Sequence, residues 1–126
     1  MKRILFLILV SFLALSFQSF AQSKKDLKRN KVKTIKITKT ITKDGKEQTI
    51  NELFQRFDAN MEVIEEINYE DDGAFKSHFS YVYNKNGDKT EEISYLADGK
   101  LKKKKTIKYN ANGDKVEEIH TDGNGN

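Results

Sequence analysis

The amino-acid sequence predicts an all-β domain, an antiparallel up-and-down meander of about seven strands built from two-strand repeats of 26 residues. The repeat is the first observation, because Tyr83–Ile93 (YNKNGDKTEEI) returns 26 positions later as Tyr109–Ile119 (YNANGDKVEEI). A degenerate copy begins at Phe57, the same interval upstream. The second observation is the alternation of apolar and polar residues, and the third is the Asn-Gly or Asp-Gly pair between alternating segments. Such alternation predicts strands, and these dipeptides predict the hairpin turns that join them.

The first 21 residues have the organisation of a secretory signal peptide. Lys2 and Arg3 precede an apolar run, and small residues end at Ala21, where we expect cleavage. The apolar run is too short to favour a transmembrane helix. The prediction is an exported protein, periplasmic or extracellular, with a flexible polar arm at 22–31 and a single β-repeat domain at 32–126.

Composition and charge argue against several classes of protein. The formal charge falls from +4 to +2 when Lys2 and Arg3 leave with the signal peptide, which argues against nucleic-acid binding. The chain has no cysteine for a disulfide or a lipid anchor, and no proline for a rigid linker. Charged residues within the central strands argue against a membrane-spanning protein.

The chain before the clear repeats contains one evident strand and one ambiguous segment. Residues 33–42 alternate isoleucine with lysine and threonine, which predicts a strand with one apolar side that ends before Gly45. Residues 47–57 fit helical spacing as well as strand spacing. We predict a strand there, because Phe57 occupies the repeat position of the later strand ends.

Glycine turns separate the remaining strands. We predict these strands at 62–70, 75–84, 89–96, 101–110 and 115–121. A glycine follows Asn or Asp at most of the turns between them, which predicts that glycine is a structural turn residue. The predicted turn positions in the whole chain are Gly45, Gly73, Gly87, Gly99 and Gly113.

The parity of the apolar residues predicts the length of these loops. Apolar residues occupy mostly odd positions on every strand. Only a three-residue loop pairs odd positions with odd ones, and its third position is left-handed, which suits glycine. The predicted sheet therefore has one apolar face of odd residues and one charged face of even residues. We expect it to curl, to form a partial barrel, or to cover its apolar face with a second copy. The predicted cross-strand pairs are Tyr69–Phe75, Tyr95–Leu101, Phe79–Ile93, Val63–Tyr81, Glu92–Lys104, Ser94–Lys102 and Thr90–Thr106.

The repeated pattern Tyr-Asn-x-Asn-Gly-Asp-Lys-x-Glu-Glu-Ile, followed by an aromatic residue and Asp-Gly, resembles the YD repeat of the RHS family. The resemblance covers about residues 57–123. Asn84 and Asn110 stand where the family has aspartate, and Asp88 and Asp114 stand where it often has arginine. In that family the repeats form long spiralling β shells around a cargo. The resemblance implies a β-hairpin repeat and an exported location, but no particular activity.

The sequence contains no evident constellation of catalytic or metal-binding residues. Its only histidines, His78 and His120, are expected as solvated side chains on the charged face. The glutamate pairs at 65–66, 91–92 and 117–118 cannot act as acid/base dyads, because neighbours on a strand point to opposite faces. The Asn/Asp-rich loops lack the twelfth-position glutamate of a calcium loop, and turns favour the same residues. We predict a protein that is not an enzyme, with no catalytic residue, cofactor or metal site.

The densest charge run of the chain lies at residues 102–105. On a strand it places Lys102, Lys104 and Lys108 in one stripe, for which two interpretations stand: a salt-bridged, solvated strand, or a contact for an anionic polysaccharide. The function that the whole sequence favours is an exported, non-enzymatic module that binds an envelope or extracellular component. The alternative is a structural, self-associating envelope protein whose apolar sheet face forms a homodimer interface.

Overall fold

The structure of the protein is a computed structural model that describes residues 24–126. The predicted signal peptide at 1–21 lies outside the described residues, as do the first two residues of the predicted arm.

The described chain contains one short helix and a seven-stranded antiparallel sheet in the order β1 to β7, so each strand pairs with its neighbour in sequence. The predicted all-β meander is confirmed, and the ambiguous segment at 47–57 is a strand. The sheet is curled and not closed, because β1 and β7 are its two unpaired edges. The elements are α1 (Lys24–Arg29), β1 (Thr34–Lys43), β2 (Lys46–Phe57), β3 (Val63–Tyr69), β4 (Phe75–Tyr83), β5 (Lys89–Tyr95), β6 (Leu101–Tyr109) and β7 (Lys115–Asp122).

Helix α1 lies in the segment for which the sequence predicts a flexible arm. Its Leu27 is buried and packs with Phe57 and Met61, which together form the buried apolar cluster of the described chain. The side chain of Lys24 also forms an ion pair with Glu62. These contacts join the arm to the end of β2, where the packing of Leu27 removes apolar area from water.

The predicted three-residue glycine loops are present. In the loop after β4, the amide of Asn84 donates to the carbonyl of Asp88 and the amide of Gly87 donates to the carbonyl of Asn84. Gly87 has a φ of 87°, the left-handed conformation that costs glycine little. In the degenerate loop at 58–62, Met61 holds the equivalent position with a φ of 63°. Left-handed φ angles also occur at Gly45, Gly73, Gly99 and Gly113.

The hairpins with loops at Gly73, Gly87, Gly99 and Gly113 carry a second irregularity, a β-bulge just after the first pair of residues. The Gly45 hairpin has a two-residue loop, and its bulge lies farther along the strands, between Ile37 and Thr38. Tyr95 pairs with Leu101, as predicted, but Ser94 then pairs with Lys103, so Lys102 has no opposite residue. The hairpin between β3 and β4 has the same shift after the predicted Tyr69–Phe75 pair. In the first four hairpins, odd residues face even ones beyond the bulge. The predicted pairs Phe79–Ile93, Val63–Tyr81, Glu92–Lys104, Ser94–Lys102 and Thr90–Thr106 are therefore wrong.

The bulges remove the predicted division into one apolar and one charged face. Beyond the bulges, odd residues of β4 and β6 point to one side of the sheet, and odd residues of β3, β5 and β7 point to the other. Both faces therefore mix apolar and charged rows. We define each face by one row of cross-strand partners and name it after one residue in that row. The Phe79 face contains Ile35, Gln55, Glu66, Phe79, Ser94, Lys103 and Asp122, and the Ile93 face contains Thr34, Arg56, Glu65, Ser80, Ile93, Lys104 and Thr121.

Candidate ligand-binding face

Two aromatic rings form a ledge on the Phe79 face. Phe79 and Tyr81 are two residues apart on β4, so both side chains point to the same side. Their ring centroids are 6.2 Å apart and their planes differ by 7°. Both residues are half-buried, which leaves part of each ring accessible to solvent. A sheet of alternating residues thus presents two nearly parallel rings side by side.

Charged side chains surround the ring of Tyr81. The Nζ atom of Lys89 lies 4.1 Å from the ring centroid and 3.1 Å from Glu92 Oε2. Glu92 lies on β5, directly opposite Tyr81 of β4 on one side and Lys105 of β6 on the other. The Lys105 Nζ atom is 3.5 Å from Glu92 Oε1. The acidic centre of the site is therefore held between two lysines.

A groove of about 190 Å³ lies beside Phe79 and crosses three further strands. Lys103 lies in the same row as Phe79, two strands away, which places the two residues about 10 Å apart. Among residues 24–126, Lys103 is exposed and takes part in no ion pair, unlike Lys105. The lining residues are Phe79, Glu92, Ser94, Lys103, Lys105 and His120.

The environment of this face shifts the pKa values of Tyr81 and Glu92 in opposite directions. Burial, followed by the negative charges of Glu66 and Glu92, raises the pKa of the Tyr81 phenol to about 12. Burial also acts to raise the pKa of Glu92, but the hydrogen bonds and charges of Lys89 and Lys105 outweigh it, so the pKa lies below its ordinary value. At neutral pH the face therefore holds a neutral phenol and an ionised carboxylate.

The predicted lysine stripe does not lie together on the Phe79 face. Lys104 and Lys108 are on the Ile93 face, where Lys104 is 2.7 Å from Glu91 and Lys108 is 2.6 Å from Glu117. Lys102 is the bulge residue. The ion-paired strand that the sequence analysis offered as one interpretation is thus present for two of the three lysines. The predicted odd face already contained Phe79, Tyr81, Lys103 and Lys105. Sequence reasoning missed Glu92, Ser94 and His120, which are even-numbered and reach this face only through the bulges.

The two histidines lie on opposite faces of the sheet. His78 contacts the ring of Tyr95 at a centroid distance of 4.6 Å and Glu65 at 3.0 Å. His120 lies on the Phe79 face, 2.7 Å from Glu118. Within residues 24–126, no group of three or more His, Asp or Glu side chains has an arrangement that could hold a metal ion.

The Asn-rich loops use their side chains for their own turns. The Oδ1 atom of Asn84 accepts hydrogen bonds from the backbone amides of Asn86 and Asp88, at 2.9 and 3.0 Å. Its Nδ2 atom donates to Asp88. Asn110 forms the same three bonds in the next copy. The spacing that resembles a calcium loop is accounted for by turn formation.

A second, larger groove of about 680 Å³ lies where α1 meets the end of β2. Phe57 and Met61 form its floor, and Lys28, Lys31 and Arg56 stand on its rim. Each of the two floor residues is only 9% exposed, because each already packs against Leu27. These two residues are therefore already part of the packed cluster, whereas Ala59 and Ile64 add further apolar lining to the groove.

The comparisons with known proteins provide no relative: no family model, no curated protein and no solved structure matches the chain. In residues 24–126, no helix is both long and apolar enough to cross a membrane.

Proposed function

We propose that this protein is an exported, non-enzymatic β-repeat module that binds an anionic polysaccharide of the envelope or of the cell exterior. The ligand lies along the Phe79 face, with sugar rings on the aromatic ledge and acidic groups at Lys103. The observation that carries the proposal is the pair of nearly parallel rings on the same face as Lys103, an exposed lysine that has no ion pair within the described residues. Export rests on the predicted signal peptide.

The aromatic ledge supports a sugar ligand for a physical reason. The face of an aromatic ring carries negative charge, which attracts the C–H groups that a sugar ring presents on its own face. Phe79 and Tyr81 are held by the strand, so little side-chain freedom is lost when a ligand stacks on them. A groove with part-exposed rings and a few polar groups is typical of such sites.

The charges support an anionic rather than a neutral polymer. Lys103 has no ion-pair partner among the described residues, so an acidic group that contacts it displaces no existing pair. Glu92 lies deeper in the groove and is already held between Lys89 and Lys105. Because Phe79 and Lys103 are about 10 Å apart, the ligand must be an oligomer rather than a single small anion.

The structure gives less support to the alternative function, self-association through an apolar sheet face. Apolar residues are divided between the two faces by the bulges, so the sheet presents no single apolar face to a second copy.

Binding of purified polysaccharides tests the proposal. Calorimetry or affinity electrophoresis is performed with a uronate-containing polymer, a sulfated polymer and neutral dextran. We expect binding of an acidic polymer and none of dextran. Phe79→Ala and Lys103→Ala should each weaken binding about fivefold to tenfold, the effect of about 1 kcal/mol or slightly more.

Lys104→Ala is the matched control, because it removes the same charge from the adjacent residue on the opposite face. Thermal melts establish that each variant is folded. If Lys104→Ala weakens binding as much as Lys103→Ala, the interaction is general electrostatic attraction and the proposed face is wrong. Absence of binding to any acidic polymer also contradicts the proposal.

A further inference from the structure

The groove where α1 meets the end of β2 combines an apolar lining with a cationic rim. Phe57 and Met61 form its floor, and Ala59 and Ile64 extend the apolar lining. Its volume of about 680 Å³ lies within the range of roughly 300–1,000 Å³ that is typical of small-molecule sites. The groove is therefore large enough for a small ligand that has an apolar part.

Three lysines of the rim have no partner of opposite charge among the described residues. They are Lys28 in the last turn of α1, and Lys31 and Lys33 in the segment that follows the helix. All three are exposed. The fourth cation of the rim, Arg56, is already paired, with its Nε atom 2.9 Å from Glu65. The rim thus presents positive charge that the described fold does not neutralise.

Asp58 also lines the groove, but its carboxylate is bound by its own loop. The Oδ1 atom accepts hydrogen bonds from the backbone amides of Asn60 and Glu62, at 2.8 and 2.9 Å. The other described residues of the lining are basic or apolar. The groove therefore suits a ligand with an anionic group.

Lys31 has a backbone conformation that favours glycine. At the end of α1 the amide of Val32 donates to the carbonyl of Leu27, and the amide of Lys31 donates to the carbonyl of Lys28. In this type of helix ending, the residue at the position of Lys31 is left-handed and is usually glycine. Lys31 has a φ of 53°, although its side chain is exposed. The chain thus places a lysine where glycine would be less strained, at the rim of the groove.

The segment that carries Lys31 and Lys33 is fixed to the rest of the fold. Val32, between the two lysines, packs against the buried apolar cluster. The carbonyl of Lys33 accepts a hydrogen bond of 2.9 Å from the amide of Phe57. Because this backbone is already ordered, a ligand that contacts the rim has only side chains to immobilise, which favours binding.

We propose that this groove binds an amphiphile with one acyl chain and an anionic head group. The chain lies along the apolar lining, and the head group contacts the three unpaired lysines. Charge complementarity selects this occupant, because an uncharged chain would leave the lysines without a partner and a small anion would leave the apolar lining uncovered. The groove shares no lining residue with the groove beside Phe79, so the argument is independent of the proposed polysaccharide ligand.

The size and charge of the groove also restrict the alternatives. At the roughly 30 Å³ that a water-sized group occupies, the groove holds about twenty such groups, which suits one acyl chain with its head group rather than two chains. The first 23 residues of the chain itself are apolar but contain two basic residues and no acidic one. Charge therefore does not select that segment as the occupant.

Calorimetric titration of the purified protein with dodecanoate, below the concentration at which dodecanoate forms micelles, tests the proposal. Dodecyltrimethylammonium has the same chain with a cationic head group, and acetate has the anionic group without the chain. We expect dodecanoate to bind and neither comparison probe to do so. From octanoate to dodecanoate, affinity should rise by up to about fourfold per methylene, because each methylene leaves water.

Lys31→Gly separates binding from stability. Glycine relieves the left-handed backbone, so the variant should be at least as stable in urea as the wild type. Loss of a rim cation should weaken dodecanoate binding by about fivefold, the upper range for one exposed ion pair. Lys25→Ala is the matched control, because it removes the same charge from an exposed residue of α1 that does not line the groove. Equal losses in the two variants, or unchanged binding by Lys31→Gly, would contradict the proposal.

A second pair of variants tests the location of the site. Ala59 and Asn60 are neighbouring exposed residues, of which only Ala59 lines the groove. Ala59→Glu should weaken dodecanoate binding by about tenfold or more, because it opposes two negative charges, and Asn60→Glu should have a much smaller effect. Similar losses in both variants would place the ligand elsewhere. Binding to phosphatidylglycerol vesicles without binding of monomeric dodecanoate would indicate a membrane contact and would overturn the proposal.

Discussion

The inner copy of the repeat (83–93) and the outer copy (109–119) share most of their sequence and most of their hydrogen bonds. In each copy the first asparagine closes the loop through the same three bonds. In each copy the tyrosine before it donates to a backbone carbonyl twenty residues upstream. Tyr83 donates to Val63 at 2.9 Å and Tyr109 donates to Lys89 at 2.8 Å. Local geometry is thus reproduced wherever the sequence recurs.

Burial differs between the copies. Every residue of β5 is half-buried, whereas nearly all of β7 is exposed. Asn84 is half-buried and Asn110 is exposed, although their hydrogen bonds are the same. The comparison shows that the sequence of a copy determines its loop and bulge, and that its place in the array determines how much water its groups lose. Variants made in matched pairs separate these two contributions.

The largest effect is expected from valine at the loop glycines, and it should be the same in both copies. Gly87 and Gly113 both have a φ of 87°, and an added Cβ atom would meet nothing within 4 Å at either. The cost therefore comes from the backbone alone, and a β-branched residue should lie toward the upper end of roughly 1–3 kcal/mol. Urea denaturation measures it. Lys85→Ala is the control, since it changes the same loop without demanding a left-handed backbone.

Two results would contradict this prediction. If Gly87→Val is no less stable than Lys85→Ala, the three-residue loop is wrong. If Gly87→Val and Gly113→Val differ by more than the error of the measurement, the loop is not an independent local unit.

A smaller effect, unequal between copies, is expected for the loop asparagines. Asn84→Ala and Asn110→Ala each remove the same three hydrogen bonds. We expect a loss of about 2 kcal/mol at Asn84 and about 1 kcal/mol at Asn110, because backbone amides that lose a partner in a half-buried loop regain less from water. Equal losses, measured by the same denaturation, would show that burial does not distinguish the copies.

The smallest effect concerns the dependence of stability on pH. The pKa of Glu92 is lowered in the folded protein, with burial acting against the stronger influence of Lys89 and Lys105. A lowered folded-state pKa contributes stability above the ordinary value of 4.5, and this contribution is lost as the pH falls through the folded-state pKa. Melting temperatures between pH 6 and pH 3 should therefore fall less steeply for Glu92→Gln than for the wild type. An identical pH profile for the two proteins would contradict the assignment.

The strands and their glycine loops could be predicted from the sequence because their signals are local. Alternation and an Asn-Gly or Asp-Gly pair lie within a few residues of the structure they specify. Helix α1 was not predicted, because Leu27 packs against Phe57 and Met61, and these two residues lie about thirty residues away along the chain.

The register and the candidate face could not be predicted for a different reason. Each bulge leaves one residue without an opposite partner. These residues have no common chemistry, so no sequence pattern identifies them. They are Glu52, Ile64, Lys76, Thr90, Lys102 and Val116. One such residue per hairpin exchanges the two faces of the returning strand. Two bulges separate β4 from β6, so Lys103 and Lys105 stay on the face of Phe79 and Tyr81. Between them the ledge meets Glu92 and Ser94 of β5 instead of the predicted Glu91 and Ile93.

The bulged register is the central claim of this account, and cross-strand nuclear Overhauser effects test it most directly. In uniformly labelled protein, the backbone protons of Ser94 should be close to those of Lys103, and those of Glu92 close to those of Lys105. Contacts of Ser94 with Lys102 and of Glu92 with Lys104 would contradict the account. With Ser94 still opposite Phe79, they would place Lys103 and Lys105 on the opposite face from Phe79, and the proposed ligand-binding face would not exist.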